Sequence, residues 1–230
     1  MRTFLLLFFL GIGVSFGQIS ELSRGSVPSY DSQVGTVFEE VPIQGSPYFN
    51  ERYVVGNTVV NGKSVRLLMR YNAYSDQIEM KDKYQKSFNL LKRTDLEATF
   101  GGKIYRMLAY AEDGEEKKGY FNPLNSGFVK LYHKPKKVFV QAEKPDNGYD
   151  EFDPPVFKDV SAYYLQVGSQ PLVKINLNKR QLLKHLKEES VSVRKYVEEN
   201  NLKLKTEEEI VRLLNFHNQN LVEKKGKVNS

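Results

Sequence analysis

From Tyr48 to Ile175 apolar and polar residues alternate with a period of two in short runs, and beyond that the period becomes 3.6. Tyr53 to Val60 and Lys63 to Met69 are alternating runs separated by Asn61-Gly62. That dipeptide suits a type I′ turn, in which both central residues take positive φ, so the pattern predicts a β-hairpin. Gln77 to Met80, Phe88 to Leu91 and Glu97 to Phe100 extend the series as short strands. Gly101-Gly102 turns the chain into a further strand over Ile104 to Tyr110. Ala111 to Gly119, charged and bounded by glycine, is expected to be a loop. Phe128 to Tyr132 and Val138 to Val140 resume the strand pattern. Pro135 lies between them and, lacking a donor for the ladder, suits an edge or a bulge. Tyr163 to Val167 and Leu172 to Ile175 form one more predicted hairpin, around Gly168-Ser169-Gln170-Pro171. Strands this closely spaced, joined by turns and not by helices, predict an antiparallel sheet or a partial barrel.

The period then changes. Leu182, Leu183 and Leu186 fall on one side of a helix that Asn178 is placed to cap, with Gln181 at its third position. A second helix is expected over Ser190 to Asn200, burying Val193, Tyr196 and Val197. In a third, Thr206 and Glu209 have capping-box spacing, and Ile210, Leu213, Leu214, His217 and Leu221 repeat at helical intervals. The expected fold class is therefore α+β: an antiparallel sheet or partial barrel over 46–175, followed by a short helical segment over 176–230.

The N-terminus changes the picture of where this fold works. Arg2 precedes an apolar run from Phe4 to Val14, and Ser15 and Gly17 supply small residues before Gln18. This is the three-part layout of a secretory signal, with cleavage expected after Gly17. The run is shorter than the roughly 20 residues of a comfortable membrane span. An uncleaved anchor is the competing reading. Residues 18–45 are polar and turn-rich and are expected to be an irregular leader. The chain has no cysteine, which removes disulfides, thiolate nucleophiles, cysteine-ligated zinc and lipoprotein attachment. A periplasmic or extracellular location follows, with no membrane-spanning segment after cleavage.

Three blocks taken together resemble a group of uncharacterised exported proteins of Bacteroidota. They are the hairpin from Gly56 to Tyr74 continuing through Ser75-Asp76, the stretch from Gly127 to Lys137 leading into a proline-rich loop, and the ending from Tyr163-Tyr164-Leu165 through the terminal helices. The resemblance implies export in a diderm bacterium and a sheet followed by helices. It implies no activity and brings no site residues.

Charge is uneven against a net +6. Residues 141–159 hold six acids and two bases, together with prolines, and are expected to be a solvated loop or linker. Residues 176–230 carry twelve bases and eight acids. The acidic stretch lacks the residue order of an EF-hand loop, and a loop is a poor mount for a pair of glycosidase acids. His133, His185 and His217 are too far apart in sequence for a local metal pair; His217 falls on an apolar helix face and reads as a packing residue. No Gly-x-Ser-x-Gly elbow is present. Neither a metal nor a cofactor is expected.

Two clusters remain as candidate binding residues. In the first, Arg70, Asn72 and Tyr74 would share one face if the strand continued, offering an arginine for an anion and an aromatic ring for stacking. The plainer use of such residues is to satisfy backbone groups at a strand end. In the second, Lys130, Lys134, Lys136 and Lys137 are interleaved with Tyr132 and Phe139 and accompanied by no acid between Lys130 and Lys137. Export makes nucleic acid an unsuitable partner and favours lipopolysaccharide phosphate, an acidic glycan or an anionic lipid; a lysine-protected edge strand is the plainer reading. The function expected is a non-enzymatic envelope protein that binds or scaffolds an anionic or amphipathic component. The alternative is a hydrolase acting on envelope glycan or lipid. An apolar interior would point to a lipoprotein-carrier-like fold, and two facing carboxylates to the enzyme.

Overall fold

A computed structural model describes residues 42–60, 62–142, 153–186 and 190–228. The expected signal, its cleavage site and most of the leader lie outside the described residues. The hairpin from β1 (Val54–Val60) to β2 (Lys63–Asn72) forms as the sequence predicts, in register from Val54 opposite Met69 to Val60 opposite Lys63. The chain then meanders through β3 (Gln77–Lys81) to a three-residue edge strand, β4 (Ser87–Asn89).

From that edge, residues 90–96 carry the chain back to the free side of β1, where β5 (Glu97–Phe100) pairs. Four strand spacings of about 4.8 Å must be crossed by seven residues that span at most about 25 Å. The crossing, about 19 Å on a flat sheet, uses most of that reach. The sheet curls into a half-barrel and the strap lies over its core, with Leu90 N–H donating to Ile78 O at 2.9 Å and Tyr120 Oη to Leu91 O at 3.4 Å. Met69, Tyr71, Ile78, Met80, Tyr105, Met107 and Tyr120 are buried together beneath it, and Phe100 stacks on Tyr105 at 4.4 Å. The curl is packed with side chains.

A second meander continues from β5 through β6 (Lys103–Glu112), β7 (Glu115–Pro123) and β8 (Val129–Lys134). Here the structure corrects the expected loop over Ala111 to Gly119, because that stretch is the distal end of a long hairpin. Asp113 and Gly114 both take positive φ, at 56° and 81°, and turn β6 directly into β7. The apolar alternation fails there because the far end of the hairpin has water on it; the Asp-Gly pair was the turn signal that remained. A ribbon of β9 (Lys137–Val140) and β10 (Val156–Asp159) follows. β10 falls inside the stretch expected to be loop, which is a second correction; 143–152 lie outside the described residues. Pro135 does break the run, between β8 and β9.

Strand β11 (Ala162–Val167) returns to pair with β8, and β12 (Val173–Ile175) forms the other edge of a ten-stranded, wholly antiparallel sheet. Three helices follow: α1 (Lys179–His185), α2 (Ser190–Glu199) and α3 (Glu207–Val228). Asn178 caps α1 as expected, accepting from Gln181 N–H at 2.9 Å. At α3, Thr206 Oγ1 accepts from Glu209 N–H at 3.3 Å, but the Glu209 carboxylate serves Lys203 N–H and Lys205 N–H instead of closing the box. Leu182, Leu186, Val193, Val197, Ile210, Leu213 and Leu214 form one core with Val129, Leu131 and Leu165 of the sheet. The helices thus complete the β-rich part.

Side chains alternate across β8 and β11, so the opposite face carries a third cluster. Tyr110, Phe121, Tyr132, Tyr164 and Leu172 pack there edge to face, with ring centroids 5.2–6.3 Å apart. This aromatic face borders the candidate site.

Candidate functional site

The first predicted cluster is engaged within the fold. Arg70 donates from Nε to Glu79 Oε2 at 2.8 Å, from Nη2 to Tyr48 Oη at 2.6 Å and from Nη1 to Glu51 O at 3.2 Å. Its guanidinium lies over the rings of Tyr48 and Tyr53, at 3.6 and 4.4 Å. Burial pushes the Glu79 carboxyl up, but hydrogen bonds from Arg70 and Tyr53 outweigh it and hold the group below its ordinary value. Asn72 Oδ1 accepts from Tyr74 N–H and Ser75 N–H, an Asx turn that ends β2. Tyr74 is exposed and meets Phe157 edge-on at 5.5 Å.

The second cluster divides. Lys130 is half-buried on β8. Tyr132 is buried and donates to Gln166 Oε1 at 3.3 Å, burial pushing its phenol up. Lys137 Nζ donates to Ser46 O at 2.7 Å, and Lys137 N–H to Ala73 O at 3.0 Å. Through Ala73 and Asp76 the two clusters, distant in sequence, become neighbours.

Strands β7 and β8 pair only at Asn122 with His133 and at Pro123 with Tyr132. Beyond that point they part, and Asp76, from the turn between β2 and β3, enters the split. Asp76 Oδ1 accepts from Tyr120 N–H at 3.2 Å and from Tyr71 Oη at 2.5 Å. Asp76 Oδ2 lies 3.4 Å from Lys134 Nζ, whose side chain is only 4% exposed. The same ammonium is 4.9 Å from the ring centroids of both Tyr110 and Phe121. Burial lowers the Lys134 pKa, opposed by the Asp76 charge. Room for the pair comes from Gly119, where a Cβ would stand 2.6 Å from Asp76 Oδ2 and closer still to Lys134 Nζ.

Lys134 also lines a cavity of about 170 Å³ with Lys136, Lys174 and Glu112, walled by Val138, Val160, Ala162 and Tyr164. Lys136 Nζ donates to Glu112 Oε1 at 2.7 Å and Lys117 Nζ to Oε2 at 3.3 Å. The Lys136 hydrogen bond is the main reason the Glu112 carboxyl sits below its usual value. Lys174 forms no ion pair among the described residues. The lining thus holds three lysines and one carboxylate, Glu112; Lys134 is paired with Asp76, which lies outside the lining, and Glu112 is shared by Lys136 and Lys117. Lys134 is buried, Lys136 partly exposed and Lys174 exposed, so a cationic cavity open to solvent at one side is offered to one acidic group.

The sequence reading missed Glu112 and Lys174. Glu112 sat in the stretch taken for a loop, and Lys174 is one exposed position in a three-residue strand, placed here by the pairing of Tyr164 with Lys174. His133 is buried against Phe49 and Tyr163 at 6.0 and 5.2 Å, and burial lowers its pKa. His185 and His217 line a separate cavity of about 420 Å³ under Phe128. Among the described residues no group of three or more His, Cys, Asp or Glu is placed to hold a metal ion, and no helix is long and apolar enough to cross a membrane. Of the described residues, one carboxylate, Glu112, is in the lining of the Lys134 cavity, and none is in that of the His185 and His217 cavity. Compared with family models, curated proteins and solved structures, the chain matches none.

Proposed function

We propose that this is an exported binding protein of the bacterial envelope, which holds a phosphate or carboxylate of an envelope component in the cavity of Lys134, Lys136 and Lys174. The observation that carries this reading is the convergence of those three lysines, from β8, the β8–β9 connection and β12, on one cavity. Buried Lys134 attracts an anion more strongly than an ammonium in open water, and the more exposed Lys136 and Lys174 add to it. Glu112 holds Lys136 in place until the ligand arrives, and Lys174 is open to it. The signal-like N-terminus supports export, and outside the cytoplasm lipopolysaccharide, acidic glycans and anionic lipids are the acidic molecules at hand. The packed interior of the half-barrel argues against carrying an acyl chain inside the curl.

Binding of purified lipopolysaccharide, its dephosphorylated form and an acidic glycan should be compared on the parent protein and on the double variant Lys136→Met, Lys174→Met. Binding that needs the acidic group and falls in the variant supports the reading. Cleavage of any of these probes would replace it with the hydrolase alternative.

A further inference from the structure

At the other end of the sheet the edge carries a different combination of side chains. Between Lys81 and Asp95 the chain has five basic residues and two acids, Asp82 and Asp95, and Asp95 pairs with Arg93 at 2.5 Å, leaving the lysines as the cations of this edge. This segment holds the β3–β4 turn, edge strand β4 and the start of the strap. Its residues 83–89 and 91–93 are all exposed. Among the bases stand three large apolar side chains turned to water: Tyr84 at 78% exposure, Leu91 at 66% and Phe88 at 39%. Phe88 and Leu91, with Val59 and buried Met80 and Leu90, line one open depression of about 470 Å³. Single exposed apolar residues need no explanation, but Val59, Phe88 and Leu91 exposed around one depression, with Lys86 and Lys92 close by in the chain, do.

We infer that this edge is a docking surface for an anionic lipid bilayer. Apolar side chains at the tip of a projecting edge reach the boundary between headgroups and acyl chains, and each neighbouring lysine adds attraction to a negatively charged surface. Charge complementarity points to an anionic headgroup layer: Lys83, Lys86 and Lys92 flank the apolar residues and are themselves exposed, so both parts of the surface find a counterpart at a bilayer boundary. The same lysines discourage another strand from adding to the short edge. This surface is separate from the Lys134 cavity and does not depend on the ligand proposed there.

The chain has no tryptophan, so a single one introduced at the edge reports on that position alone. Leu91→Trp and, at the opposite sheet edge, Val173→Trp should be mixed in the full chain with vesicles of phosphatidylcholine or of phosphatidylcholine with phosphatidylglycerol. The expected result is a shift of Leu91→Trp emission to shorter wavelength with the anionic vesicles only. The shift should be lost at high salt and on adding Lys86→Glu and Lys92→Glu, while Val173→Trp emission stays unchanged. No shift at position 91, or an equal shift at position 173, would overturn the inference. So would an equal response to neutral vesicles, or a response to monomeric lysophosphatidylglycerol matching that to vesicles, which would mean a single amphiphile held in the depression.

Discussion

Asp76 and Lys134 lie 58 positions apart in the chain and 3.4 Å apart in the fold, where β7 and β8 separate. The aspartate replaces the missing ladder partner of Tyr120, and the lysine neutralises the aspartate inside an aromatic wall. Removing one charge of a buried pair strands the other. Asp76 takes a positive φ of 52°, which asparagine tolerates, so Asp76→Asn isolates the charge from the backbone. It should cost about 3 kcal/mol in denaturant unfolding, because Lys134 stays buried without a counter-charge. Lys134→Met should cost less, since Asp76 remains partly solvated and keeps its two donors.

Gly119→Ala tests the same place by volume. Its Cβ would enter the space taken by the Asp76 and Lys134 side-chain ends, and neither can retreat without breaking the pair. A loss of about 1–3 kcal/mol is expected. The equivalent change at Gly102, where a Cβ meets nothing within 4 Å, bears only the strain of its own positive φ.

Helix α3 is fixed to the sheet by more than apolar packing. Asn218 Oδ1 accepts from Val129 N–H at 2.8 Å, and its Nδ2 donates to Val129 O at 2.8 Å and Ser126 O at 2.9 Å, so one side chain stands in for a strand. Asn218→Ala leaves Val129 N–H buried without its acceptor, while Val129 O keeps the Asn125 Nδ2 donor at 3.0 Å, at a cost of about 1–3 kcal/mol. Leu213→Ala, at a fully buried position of the helix–sheet core, should cost about 2–5 kcal/mol. Stability unchanged in both variants would mean that the helix does not complete the core.

The pH dependence of unfolding has a definite sign at each end. Glu79 and Glu112 have folded pKa values below their ordinary 4.5, so their contribution is complete above that value and lost as pH falls through the folded values. At alkaline pH, burial raises Tyr71 well above 10 and brings Tyr105 and Tyr120 to about 12. Above pH 10 the unfolded chain sheds these protons first, so stability falls as pH rises. Lys134 opposes this: its lowered folded pKa makes the unfolded chain bind the proton more tightly up to 10.5. Burial raises Tyr110, Tyr132, Tyr163 and Tyr164 as well, so the tyrosines outnumber the one lysine and a net alkaline loss is expected. Tyrosinate absorbance should accordingly show a delayed group that ionises only on unfolding.

Local chemistry made much of the fold legible. Asn61-Gly62 and Gly101-Gly102 mark turns whatever surrounds them, and the leucine spacing of the terminal helices survives because one face is buried throughout. The β6–β7 hairpin was obscured where its far end is solvated on both faces, since a strand without a dry side has no apolar period. The site was half legible. A lysine run near Tyr132 was visible, but nothing local to Lys134 signals that Asp76 is its partner or that Gly119 makes room for both. Those contacts depend on the split between β7 and β8, which only the assembled sheet contains. Arg70 stood out as a lone cation because Tyr48, Tyr53 and Glu79, which surround it, lie 9 to 22 residues away along the chain.

The central claim, that the cavity of Lys134, Lys136 and Lys174 holds an acidic group, is tested most directly by backbone amide NMR during titration with inorganic phosphate. Saturable shifts concentrated at Lys136, Ala162, Tyr164 and Lys174, and absent from the double variant Lys136→Met, Lys174→Met, are the predicted result. Shifts that do not saturate and are spread over exposed lysines such as Lys83 and Lys86, with none around the cavity, would contradict it.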